Sequence, residues 1–130
     1  MGNLIDSAGK WRAKSVGVMS GEEVVHIAPP AKRVPELIEG LLGWIASNPD
    51  LNPLIGSAVF HYEFEIIHPF EDGNGRVGRL WHSLILSEYR EFFRYVPVES
   101  AILDRQAEYY AAIRESTART DSGPFIEYSL

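Results

Sequence analysis

Residues 68–79 read HPFEDGNGRVGR. A histidine, two carboxylates, three glycines and two arginines crowd one loop, and the apolar run LWHSLIL follows directly. Gly73, Asn74 and Gly75 give the backbone conformations closed to other residues, so successive N–H groups can converge on one point. The helix expected next adds unpaired N–H donors and the positive end of its dipole. Arg76 and Arg79 stand three apart, so both guanidiniums reach the same side. Such a loop suits an anion with several oxygens, and a polyphosphate fits best. Asp72 precedes the glycines, where a carboxylate can hold a Mg²⁺ that bridges phosphate oxygens. His68 stands at the other end, and an imidazole of pKa about 6.5 can take a proton from a hydroxyl at neutral pH.

Other readings of the same residues are weaker. Gly73, Gly75 and Gly78 satisfy GxGxxG, and Glu99 lies about where a dinucleotide fold places its ribose carboxylate. That fingerprint follows its strand directly, whereas five residues including Pro69 separate Ile67 from Gly73. No βαβ alternation surrounds it. A phosphate loop of the GK[ST] type is excluded by its missing residues. His26, His61, His68 and His82 could make a zinc site, but HExxH spacing is lacking and His61 and His82 read as ordinary helix residues. A purely structural loop gives two arginines and Asp72 no reason to crowd a glycine turn.

The elements that must position this loop read as mostly α, with one small β-hairpin. In residues 11–27, SVGVM and VVHI flank the turn signal Ser20-Gly21-Glu22-Glu23, and Pro29 and Pro30 end the pair. The second strand is a candidate edge for an extended peptide. Pro35 opens a helix with Leu37, Ile38, Leu41, Leu42 and Ile45 on one face, stopped at Asn48-Pro49. Another runs from Pro53 towards Ile67 with Leu54, Ala58, Tyr62 and Ile66 inward, although VFHYEFEII also has strand-like composition. A third starts in the glycine loop, with Val77, Leu80, Trp81, Leu84 and Ile85 at helical spacing. Ser100 is the expected N-cap of a fourth carrying Ile102, Gln106, Tyr109 and Ile113. Asp121-Ser122 before Pro124-Phe125 looks like one more start, but a helix that short is expected to bury no useful face. The chain is therefore expected to be a fragment, or to be completed by something else.

Bulk composition narrows the function. The 130 residues are 45% hydrophobic, enough for a single domain with one core. Net charge is −6 and the pI is near 5.2, which argues against a nucleic-acid partner. There is no cysteine, so disulfides and thiolate metal sites are excluded. No apolar run is long enough for a membrane span, and no signal peptide is visible, so the cytoplasm is the default expectation. The opening MGNLID has Asp6 where a myristoylation signal needs Ser or Thr.

At every fixed position HPFEDGNGRVGR matches HxFx(D/E)GNGRxxR, and the chain resembles the Fic (Fido) family. VVHIAPP resembles the end of that family's flap hairpin, HYEFEIIHPF its helix leading into the loop, and QAEYYAAI a later helix. The resemblance implies a Fic domain over residues 1–130, a helical bundle with a small β-hairpin flap. It implies a protein adenylyltransferase, moving AMP from ATP onto a Ser, Thr or Tyr hydroxyl of a target protein near the flap. His68 would be the general base and Asp72 the Mg²⁺ ligand. Gly73, Asn74 and Gly75 would cradle the phosphates, with Val77 and Gly78 in the same nucleotide-binding stretch. Arg76 and Arg79 would neutralise the β- and γ-phosphates. Phe70 would anchor the loop. Val24, Val25, His26 and Ile27 would border the nucleotide, and Tyr109 is either a wall for the adenine or a core aromatic.

The family's inhibitory pattern [ST]xxxE[GN] is not matched. Ser87 and Glu91 have its spacing, but Phe92 follows where Gly or Asn is required. Inhibition would then come from a missing terminal part, from a separate small partner, or from a different control. Relatives that act as kinases alter the glycine after Asn, and Gly75 is intact. Removal of AMP, transfer of UMP or phosphocholine, and a nucleotide-binding regulatory module without turnover are the alternatives.

Overall fold

In the computed structural model, residues 9–14, 17–20, 23–89, 101–102 and 104–130 are described, with backbone alone for 17–20, 23–26 and 89. Strands β1 (Gly17–Ser20) and β2 (Glu23–Ile27) pair antiparallel, Gly17 opposite Ile27 and Ser20 opposite Glu23. The register shifts between Val18 and Met19, leaving Val25 as an extra residue in β2; such a bulge adds local twist. Ser15, Val16, Gly21 and Glu22 of the expected strand and turn lie outside the described residues. A 3-10 turn, Ala31–Arg33, leads into α1 (Val34–Ser47). Then come α2 (Pro53–Ile67), α3 (Asn74–Tyr89), α4 (Gln106–Arg119) and α5 (Gly123–Ser129). Among the described residues no helix is long and apolar enough to cross a membrane.

Helix α2 is the post around which the others stand. Asn52 starts it by accepting a hydrogen bond from the Leu54 N–H at 2.9 Å, and Pro53 fills a first-turn position that needs no donor. α1, α3 and α5 all pack on it. Ala58 and Tyr62 face one core cluster with Ile102, Tyr109, Ile113 and Phe125. Phe60, Phe64 and Ile67 face a second, with Val34, Ile38 and Leu41 of α1. A helix covered on most sides has no polar stripe, which is why VFHYEFEII carries a strand-like composition.

Helical periodicity misplaces some side chains. On α1, Leu42 is 39% exposed, because it lies on the flank of the Val34, Ile38, Leu41 row. On α3, Leu80 and Leu84 are 59% and 48% exposed. The row buried against α2 is Asn74, Gly78, His82 and Leu86, and only its last member is a large apolar residue. Val77, Trp81 and Ile85 pack beside it against the α1–α2 cluster. On α4, Tyr109 and Ile113 are buried but Gln106 is exposed, and the helix begins at Gln106 with no side-chain cap. Ser100, the expected cap, lies outside the described residues.

The final helix corrects an expectation. α5 has seven residues, yet Phe125 is 1% exposed. Asp121 accepts the Gly123 N–H at 2.9 Å to open the helix, and Ser116 Oγ accepts the Phe125 N–H at 3.0 Å. The Phe125 ring lies 5.3 Å from His61, 5.7 Å from Tyr62 and 5.8 Å from Tyr109. Length limits an isolated helix, but one large side chain docked into a core supplies the stability that propagation does not. Phe125→Ala is expected to cost ~3–5 kcal/mol, read by urea unfolding. A loss under about 1 kcal/mol would show that α5 is dispensable to the core.

Candidate active site

Helix α2 ends at a strained residue. His68 has φ 51° and ψ 61° and is the C-cap, its N–H donated to the Phe64 carbonyl at 2.9 Å. Pro69 follows and disfavours the right-handed conformation at His68, so the helix stops there. Glycine usually fills such a left-handed cap; a side chain there costs roughly 1–2 kcal/mol. Arg12 meets this turn. Its side chain is buried, with Nε donating to the His68 carbonyl at 2.6 Å and Nη2 to the Ile67 carbonyl at 3.1 Å. Nη2 also reaches the Pro29 carbonyl at 2.6 Å and Nη1 that of Lys14 at 3.0 Å. The Arg12 main-chain N–H donates to the Pro69 carbonyl at 2.9 Å.

The loop beyond is held by its own residues. Asn74 is 3% exposed, and its side chain both accepts the Phe70 N–H and donates to the Phe70 carbonyl, each at 2.8 Å. Trp11 stacks on Phe70 with centroids 5.4 Å apart, and Phe64 lies on another side at 6.5 Å. Gly73, at φ 83°, turns the chain, and its carbonyl accepts the Val77 N–H at 3.0 Å. The N–H groups of Asn74, Gly75 and Arg76 therefore precede the first bond of the α3 ladder, where a helix offers donors to an anion. A Cβ on Gly75 would lie 2.9 Å from Arg79 Nη1, so the glycine leaves room for that guanidinium. Arg76 Nη2 lies 3.5 Å from Asp72 Oδ2, and both side chains are more than half exposed.

These contacts sort the expected site residues. His68, Asp72, Gly73, Asn74, Gly75, Arg76 and Arg79 share one loop and helix start. The Asn74 side chain braces the loop, so only its main-chain N–H remains for an anion. Val77 and Gly78 turn from the site. The Val77 N–H is spent on Gly73 and its side chain joins the core. A Cβ on Gly78 would meet Glu65 Oε1 at 2.9 Å and Phe64 at 3.4 Å. Tyr109 is 3% exposed, with its hydroxyl 3.1 Å from His61 Nε2. That is the core-aromatic placement, and no adenine contact is assigned to it. The side chains of Val24, Val25 and His26 lie outside the described residues, and Ile27 is 74% exposed. Arg12 and Trp11 were not foreseen; nothing local marks a residue that binds the carbonyls of Ile67 and His68, 55 and 56 positions away.

Beneath the loop lies a buried polar group. His61 Nδ1 and His82 Nδ1 are 2.9 Å apart, so one donates to the other, and His61 Nε2 continues the chain to Tyr109. The imidazoles are core residues bonded to each other. Among the described residues no group of three or more metal-binding side chains is found. Glu65 is 4% exposed, 4.0 Å from His61 Nε2, and its Oε1 has no hydrogen-bond partner among the described residues. Burial pushes its carboxyl up to about 7, against a smaller pull from the Arg79 charge. Burial holds His82 down to about 4. Burial, then the neighbouring His82 and Arg79 charges, hold His61 well below its usual value.

These shifts have opposite signs. The Glu65 contribution to stability is complete below about pH 4.5 and is lost as pH rises through about 7. That of His82 is complete above about pH 6.5 and is lost as pH falls through about 4. The slopes oppose each other between those limits. Glu65→Gln removes only the first. Urea unfolding should show this variant gaining stability over the parent by on the order of 3 kcal/mol more at about pH 8 than at about pH 4.5. An equal difference at both pH values would contradict a buried, neutral Glu65.

Known proteins resemble this chain in sequence and in fold. Over 92 residues, 68% of this chain and 25% of the relative, the sequence is 36% identical to a probable protein adenylyltransferase of Aquifex aeolicus. It is 32% identical over 123 residues to the protein adenylyltransferase fic-1 of Caenorhabditis briggsae, 93% of this chain and 22% of that protein. The chain thus spans about a quarter of the length of these curated relatives. The crystal structure of a Fic family protein from Desulfovibrio desulfuricans superposes with a TM-score of 0.90 at 48% identity, covering 99% of this chain and 39% of that one. Residues 1–86 match the Fic/DOC family, and with that match and these relatives the chain belongs to the Fic/DOC family.

Proposed function

We propose that this chain moves AMP from ATP onto the hydroxyl of a serine, threonine or tyrosine on a target protein. The observation that carries the proposal is the single loop on which His68, Asp72, the amino end of α3, Arg76 and Arg79 stand together. Relatives named protein adenylyltransferases support it.

The chemistry divides among those groups. The N–H groups of Asn74, Gly75 and Arg76 face a phosphate, and the two guanidiniums neutralise the β- and γ-phosphates. His68 takes the proton from the target hydroxyl. The hydroxyl oxygen bonds to the α-phosphorus, the bond to the β-phosphate bridging oxygen breaks, and pyrophosphate leaves with the bond electrons. Donors fixed before the reaction stabilise the charge that grows on the leaving oxygens. Asp72 is a largely exposed carboxylate 3.5 Å from the Arg76 guanidinium, and it would be the protein share of a Mg²⁺ site otherwise completed by phosphates and water. Bound there, the ion would draw charge from the phosphate oxygens. β2, with Val24, Val25, His26 and Ile27, is assigned as the flap that borders the nucleotide and pairs with an extended segment of the target.

Incubation of cell extract with α-labelled and γ-labelled ATP tests the reading. Protein-bound label is expected from the α-form alone. His68→Ala should lower it ~10²–10⁴-fold while ATP affinity, by calorimetry, stays within about threefold. Label from the γ-form alone would make the reaction phosphorylation. Silence from both forms with ATP bound would point to another donor, to AMP removal, or to a regulatory module.

A further inference from the structure

Arg12 stands outside the signature, yet it is bonded to the residue read above as the base. A peptide unit is a rigid plane. The Ile67 carbonyl belongs to the plane before the His68 Cα and the His68 carbonyl to the plane after it. One planar guanidinium grips both, which constrains φ and ψ at His68 together. The Arg12 main chain adds a grip on Pro69. The cation also sits at the carboxyl end of α2, where the helix dipole favours positive charge. Nη2, which binds Ile67, also reaches Pro29 two residues beyond β2 and links the strand to the same point.

We propose that Arg12 is a positioning residue: by holding both peptide planes flanking His68 it imposes the left-handed conformation that aims the imidazole, and through Pro29 it sets where β2 stands relative to that imidazole. A non-glycine residue keeps such a conformation only when its surroundings over-determine it, and four carbonyls on one side chain do so. The inference rests on the reading of His68 as the base.

The test uses Arg12→Lys, which keeps the charge but not the planar fork, and Arg12→Met, which loses both. Each is assayed below its own melting temperature. The backbone φ of His68 is read by NMR coupling, ATP affinity by calorimetry, and transfer with α-labelled ATP in cell extract. Expected is a fall in transfer of about 10–100-fold, ATP affinity within about threefold, and a His68 that leaves positive φ, with Lys less impaired than Met. If Arg12→Met fails to fold, Arg12→Lys decides. Parent-level transfer in a folded variant overturns the proposal. So does a loss of transfer with φ at His68 unchanged, which would make Arg12 a general strut. Should His68→Ala transfer as well as the parent, the base reading fails separately, and the φ measurement alone then judges Arg12.

Discussion

The turn at His68 is the constraint on which the rest of the site depends. A buried helix must end there, reverse direction within a few residues and begin another helix whose amino end faces the same point. Stopping α2 with glycine would be easier for the backbone, but it would leave no imidazole. Histidine accepts the left-handed conformation at a cost, and the neighbours hold it there. Arg12 binds the carbonyls on both sides, and Asn74 closes the following loop on Phe70. Trp11, Phe64 and Phe70 stack around that closure. Strain at one residue, opposed by contacts around it, is how folds keep such geometry.

The close approach of α3 to α2 is bought with residues that a stability-only design would avoid. Gly78 lets the helices meet at Glu65, and the space between them holds two imidazoles, a phenol and a carboxyl. Between about pH 4 and about pH 7 a protonated Glu65, with neutral His61 and His82, keeps this layer nearly free of charge. The positive charge is kept at the loop, on Arg76 and Arg79, where an anion can meet it.

That His68, Asp72, Arg76 and Arg79 stand on one loop and helix start was legible from their spacing alone, and the chemistry proposed for them rests on their residue types. Helix positions were legible where Pro35, Asn48-Pro49 and Pro53 punctuate the chain. What sequence periodicity missed has physical causes. α3 buries Asn74, Gly78 and His82 and exposes Leu80 and Leu84, so hydrophobicity marks a face rotated from the buried row, and of that face Val77, Trp81 and Ile85 pack against the core. α5 is too short to predict as a stable helix, yet Phe125 fastens it. Three of the four carbonyls bound by the Arg12 side chain lie 17 to 56 residues distant, and carbonyls leave no mark in a sequence.

A crystal structure with Mg²⁺ and a non-hydrolysable ATP analogue tests the central claim most directly. The account requires phosphate oxygens about 3 Å from the N–H groups of Asn74, Gly75 and Arg76, with the imidazole of His68 facing the α-phosphorus. A nucleotide bound elsewhere on the chain, with that helix end unoccupied, would contradict it.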